Sequence, residues 1–142
     1  RSITSSESEI PNIHRFIIVV KVDKEKIKKI IKQIEKQIEV IAAFSHTDKE
    51  IIYLQTALYK VKSKSLFKER KIQNIIKDSR ANIVTVKPDY FVIEKTGWKE
   101  ETDELYNKLK KYGLLQFVRS GRISVSKESM EITKFLKSNK NE

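Results

Sequence analysis

From Glu50 onward the order of apolar runs and helical repeats constrains this chain more than any single motif. EIIYLQTALYKVK, Glu50 to Lys62, is rich in β-branched and aromatic residues and reads as a long strand. Ser63 or Ser65 then caps a helix through LFKERKIQNIIKD, which sets Leu66, Phe67, Ile72, Ile75 and Ile76 broadly on one side. IVTVK and YFVIEK flank a Pro88-Asp89 turn and make a hairpin, and Thr96-Gly97 breaks the chain after it. A helix over Lys99 to Tyr112 buries Leu105, Leu109 and Tyr112, and Gly113 fits the left-handed position that ends it. LLQFV is the next strand, and ISVS continues or restarts it beyond Arg119-Ser120-Gly121-Arg122. Strand, helix, strand, strand, helix, strand is the ferredoxin-like, split βαβ plan. It gives an antiparallel sheet of four strands with both helices on one face.

The first part of the chain repeats a portion of that plan. RSITSSESE and HRFIIVVKV, His14 to Val22, form a hairpin across Pro11-Asn12, and the second run is apolar enough to be buried on both faces. Asp23 caps a helix whose Ile27, Ile30, Ile31, Ile34 and Ile38 make one stripe, the pattern of a helix packed on a sheet. EVIAAFS, Glu39 to Ser45, returns as a strand. The unit reads ββαβ: the same plan without its first strand and helix. That strand lies mid-sheet, so its absence bares backbone donors and acceptors; the expectation is that residues upstream of Arg1 supply it, that a partner does, or that this half is distorted. The expected organisation is α+β, with a truncated ββαβ unit over 1–46 and a ferredoxin-like domain over 47–129. A short helical tail over 130–142 turns Ile132, Phe135 and Leu136 inward.

A formal net charge of +11 invites a nucleic-acid reading, but only six of the thirty basic residues are Arg, the better reader of phosphates and bases. The lysines alternate with Glu and Ile along the helices, as on a solvated face. A similar sheet binds RNA through exposed aromatics, and Tyr53, Tyr59, Tyr90, Phe91 and Phe117 all fall in strands. The RNA-recognition signature, a basic residue followed by Gly-aromatic-Gly-aromatic, is missing, so a basic nucleic-acid-binding protein stands second. Catalytic patterns are absent too. There is no cysteine, no glycine-rich phosphate loop, and His14 and His46 stand far apart without ligand-spaced companions. Glu100 and Glu101 suit a helix first turn better than acid–base work. No apolar run is long enough for a membrane span, and a cytoplasmic address is expected.

FVRSGRISVSK, Phe117 to Lys127, with KKYGLLQ before it, resembles the C-terminal signature of acetohydroxyacid (acetolactate) synthase small subunits. NIVTVKPDYFVIEKTG resembles that family's central hairpin ending in Thr-Gly, and IIYLQTALYKV its domain-opening strand. IEKQIEVIAAFS and RSITSSESEIPNIHRFIIVVK resemble the last helix, last strand and hairpin of its ACT domain, and the resemblance implies that the 1–46 unit is a partial ACT domain. The resemblance implies a non-catalytic regulatory subunit in branched-chain amino acid biosynthesis. Such a subunit would be a dimer that binds and activates a catalytic subunit. Thiamine diphosphate, Mg2+ and FAD would reside on that partner, and this chain would bind no cofactor. It also implies feedback by valine or another branched-chain amino acid. The family's Asn-x-x-Gly effector loop has no counterpart in these residues, so no effector site is assigned. Arg119, Gly121 and Arg122 are the candidate contacts with the catalytic subunit, against the plainer reading of a kink with exposed arginines.

Overall fold

The structure, a computed structural model, describes residues 1–68, 70–129, 131, 134 and 138. The tail helix expected over 130–142 otherwise falls outside the described residues. The chain divides into two compact units, Leu54–Gly121 and Arg1–Tyr53 with Arg122–Glu142.

The first of these carries the core. Strands β3 (Ile51–Lys62), β4 (Asn82–Val86), β5 (Tyr90–Gly97) and β6 (Leu114–Arg119) lie in the order β6-β3-β5-β4, every neighbouring pair antiparallel. This is the expected ferredoxin-like arrangement. Alternation along β3 turns Ala57, Tyr59 and Val61 to one face, where none keeps any exposure, and β5 adds Phe91 and Ile93. Helices α2 (Ser63–Lys68), α3 (Arg70–Asp78) and α4 (Lys99–Leu109) bring Leu66, Ile72, Ile76, Leu105 and Leu109 into that cluster. Tyr59 is the largest fully buried side chain, and its hydroxyl donates to Thr102 O at 2.6 Å. Burial holds its phenol far above the usual range.

Local chemistry departs from expectation at three places. Neither candidate serine caps a helix: Ser63 Oγ donates to Lys87 O and Ser65 Oγ to Tyr112 O. Thr96-Gly97 does not break the chain but completes β5, and Gly97 is buried. Its flatness is used, because a Cβ there would lie 2.5 Å from Glu101 Oε2, which accepts from Trp98 N–H at the start of α4. Helix α3 ends with Ala81 N–H donating to Ile76 O, while Arg80 takes φ 53°, a position more often filled by glycine. Gly113 behaves as expected, at φ 83° after a short 3-10 turn, Lys110–Tyr112.

In the other unit, β1 (Ser2–Glu7) and β2 (His14–Val19) form the expected hairpin, with Ile3 opposite Ile18. Asp23 caps α1 (Lys24–Glu35) by accepting from Lys26 N–H at 2.7 Å. The burial expected here is not achieved. Phe16 and Ile18 stay exposed on one face of β2 and Val20 just beyond it is exposed too, the α1 stripe Ile27, Ile30, Ile31 and Ile34 is half-buried with none fully buried, and Ile38 lies beyond the helix fully in solvent. The strand expected over Glu39 to Ser45 does not form. In the split βαβ plan the last strand pairs only with the first, and no first strand stands among the described residues. An extended segment with no neighbour to bond is not a strand. Strand β7 (Ile123–Ser126) pairs with β3, and Lys127 N–H donates to Glu50 O at 2.9 Å.

Replacing Gly113 by Ala forces a side chain into a left-handed backbone and brings a Cβ to 3.0 Å from Lys62 Cδ. We expect a loss of about 1–2 kcal/mol, read as a lower urea midpoint at unchanged m-value.

Candidate functional site

The bend from Arg119 to Arg122 connects β6 to β7, and the side chains of Arg119, Ser120 and Arg122 each have defined partners. Arg119 is two residues from Phe117, so both point to the helix-covered face. Register places Arg119 across from Ala57, under the first turns of α4. Its guanidinium donates to Asp103 Oδ1 at 2.5 Å and to Thr102 Oγ1 at 3.3 Å. Asp103 also accepts from Lys99 Nζ at 2.6 Å. Lys99 first, then Arg119, holds the Asp103 carboxyl below its ordinary range. Neither arginine is free in solvent, as the plainer sequence reading has it. Arg122 donates to Asp48 Oδ1 at 2.7 Å, and its guanidinium carbon lies 3.9 Å from the centre of the Tyr53 ring. An ion pair and a stacked ring thus hold the same group.

Ser120 locks the backbone between them. Its N–H donates to Thr56 O at 2.8 Å, and its Oγ accepts from Thr56 N–H at 2.9 Å. Gly121 sits at the kink without a positive φ; Gly113 is the glycine that has one. From Thr56 a row of polar side chains crosses the open face of the sheet. Thr56 Oγ1 meets Thr96 Oγ1 at 3.0 Å, Thr96 Oγ1 donates to Glu94 Oε1 at 2.5 Å, and Asn82 Nδ2 donates to Glu94 Oε2 at 3.2 Å. Thr96 first, then Asn82, holds Glu94 below its usual carboxylate range.

Within the unit Leu54–Gly121 the structure gathers Arg119 and Ser120 with Thr56, Thr102 and Asp103, and within the other it sets Arg122 against Asp48 and Tyr53; of these partners only Tyr53 was named from the sequence, as a strand aromatic. Period-two alternation could have found some of them. It sets Arg119 on the face of Phe117, and the first turns of the preceding helix, α4, carry the acids. Nothing local in the sequence points to Asp48, which is 74 residues from Arg122.

The aromatic side chains also settle where a base could stack. Tyr59 and Phe91 are fully buried, and Phe117 packs between Tyr59 and Tyr106 at centroid distances of 5.0 Å. Lys60 Nζ covers Tyr90 at 4.4 Å, and Arg122 covers Tyr53. The five strand aromatics offer no open row, which removes the feature that favoured an RNA-binding sheet. Lys95 is the one buried lysine among the described residues, with its Nζ 3.7 Å from Glu101 Oε1.

A family profile described as the small subunit of acetolactate synthase matches residues 55–128. The acetolactate synthase small subunit of Bacillus subtilis is 30% identical over 131 residues, which span 92% of this chain and 76% of that one. A protein of Methanothermobacter thermautotrophicus named as a probable acetolactate synthase small subunit is 30% identical over 128 residues, 90% of this chain and 76% of its own. The crystal structure of an acetolactate synthase small subunit from Thermotoga maritima superposes with a TM-score of 0.80 at 27% identity, over 91% of this chain and 80% of that one.

The Asp103 pair gives a pH signature. Its folded pKa is lowered, so the stability it adds is complete above the unfolded value of about 3.9 and fades as pH falls through the lower folded value. The stability difference between wild type and Asp103→Asn should be level from about pH 5 to 8 and shrink below about pH 4. Urea midpoints across that range would show it. A difference that grows on acidification would contradict the assignment.

Proposed function

The chain belongs to the acetolactate synthase small-subunit family, and from that premise we propose that it binds and activates a separate acetolactate synthase catalytic subunit. The observation that carries the reading is the spread of the likeness. It covers nearly the whole chain in sequence and in fold, not one motif, and the bend with its ion pairs lies inside the matched 55–128 span except for Asp48 and Tyr53. On this reading the chain performs no chemistry of its own. Thiamine diphosphate, Mg2+ and FAD belong to the catalytic subunit, and docking shifts that subunit toward its active arrangement. The chain acts as a homodimer. A branched-chain amino acid modulates activation to the extent that it binds the two docking states with different affinity.

The same reading keeps Arg119, Gly121 and Arg122 at the contact. Each guanidinium has five N–H donors, more than Asp103 and Asp48 take up. Alanine at both arginines should raise the amount of chain needed for half-activation, and an unchanged titration in a folded variant would remove the bend from the interface.

The direct experiment supplies pyruvate to the purified chain, to the catalytic subunit, and to both together, and measures acetolactate. The chain alone should form none, and adding it should raise the catalytic subunit's rate to a plateau. Turnover by the chain alone, or a rate indifferent to it at every ratio, would contradict the proposal.

A further inference from the structure

The outer side of β4 is an edge of the sheet, last in the order β6-β3-β5-β4, with no further strand beside it among the described residues. Its sequence, Asn82-Ile83-Val84-Thr85-Val86, contains no charge and no proline. Charge and proline are two of the means by which proteins keep an edge from accepting another strand. Ile83, Val84 and Val86 are 44%, 58% and 47% exposed. The ladder with β5 slips between Ile83 and Thr85, which leaves Val84 without a partner in β5. Beside this edge runs a groove lined by Leu66, Gln73, Ile76 and Ile83. An edge strand next to a helix-walled groove can add an extended segment as a new strand and take its alternate side chains into the groove.

Charge says what kind of segment fits. On α3, Arg70 and Lys77 stand three residues before and four after Gln73, so they share its face. Arg80 follows the helix and Lys87 follows β4. All four are exposed, and none makes an ion pair among the described residues. A second copy laid edge to edge would bring the same cations together on a chain already at +11, which is unfavourable. An acidic segment meets both the edge and its basic rim.

We propose that β4 and its groove receive an extended segment of the catalytic subunit, with apolar residues alternating with Asp or Glu, which adds as a strand beside Val84. This rests on the reading given under Proposed function. Two variants isolate it: Val84→Glu, which charges the edge, and Lys77→Glu with Arg80→Glu, which reverses the rim. Both change exposed side chains, and circular dichroism with thermal melting checks that each remains folded. Binding of the catalytic subunit is followed by calorimetry, and the oligomeric state of each variant by sedimentation. Both variants should bind the catalytic subunit about tenfold more weakly, and added salt should weaken wild type more than the rim variant. Folded variants that bind as wild type does overturn this docking site and leave the small-subunit reading standing. Variants that lose self-association but keep full binding put a second copy at the edge and also overturn it. A wild-type chain that does not bind the catalytic subunit overturns both.

Discussion

Strand β3 lies between β5 and β6 and uses both of its backbone edges to hold them. Its buried face, Ala57, Tyr59 and Val61, is the floor on which three helices rest, and the remaining features follow from that placement. A central strand covered on one face must alternate strictly. The alternation continues into its neighbours and decides which way Phe117 and Arg119 point. It also consumes the aromatic residues that would otherwise form a stacking surface. The sheet's outward features are the pinned bend after one edge strand and the uncharged, slipped strand at the other edge.

The bend shows how little of a site composition reveals. Arg-Ser-Gly-Arg suggests mobility and exposed charge. In the fold, both guanidiniums are committed within the chain and the serine is bonded to Thr56 in both directions. Partly exposed ion pairs of this kind add little stability individually, so their effect is geometric. They fix where β6 ends.

The ferredoxin-like order was legible because every strand from β3 to β6 carries β-branched or aromatic residues between clear turn signals, and α4 has its acids at the start and Gly113 at the end. The family was legible in the course of Lys110 to Ser126. Pairing partners far apart in sequence were not legible, with Asp48 and Arg122 the clearest case. Nor was the failure of burial around α1. The stripe Ile27, Ile30, Ile31 and Ile34 and the run from Phe16 to Val20 have the pattern of packed elements, but pattern states only what a surface can cover, not whether a cover is present. The segment Glu39 to Ser45 has strand composition and no strand to pair with, so propensity loses to the absence of a neighbour.

The account comes down to an unequal distribution of stability. Residues Leu54–Gly121 enclose a complete core, while the isoleucine stripe of α1 is only half-buried and the β1–β2 hairpin leaves Ile3, Phe16 and Ile18 exposed. Native-state amide hydrogen exchange on the free chain tests this most directly. The amides of Ala57 to Val61 and Phe91 to Lys95 should exchange slowest, through global unfolding. Those of α1 and the hairpin should exchange far faster, through local opening at lower denaturant. Equal protection in both regions, lost together in one transition, would contradict it.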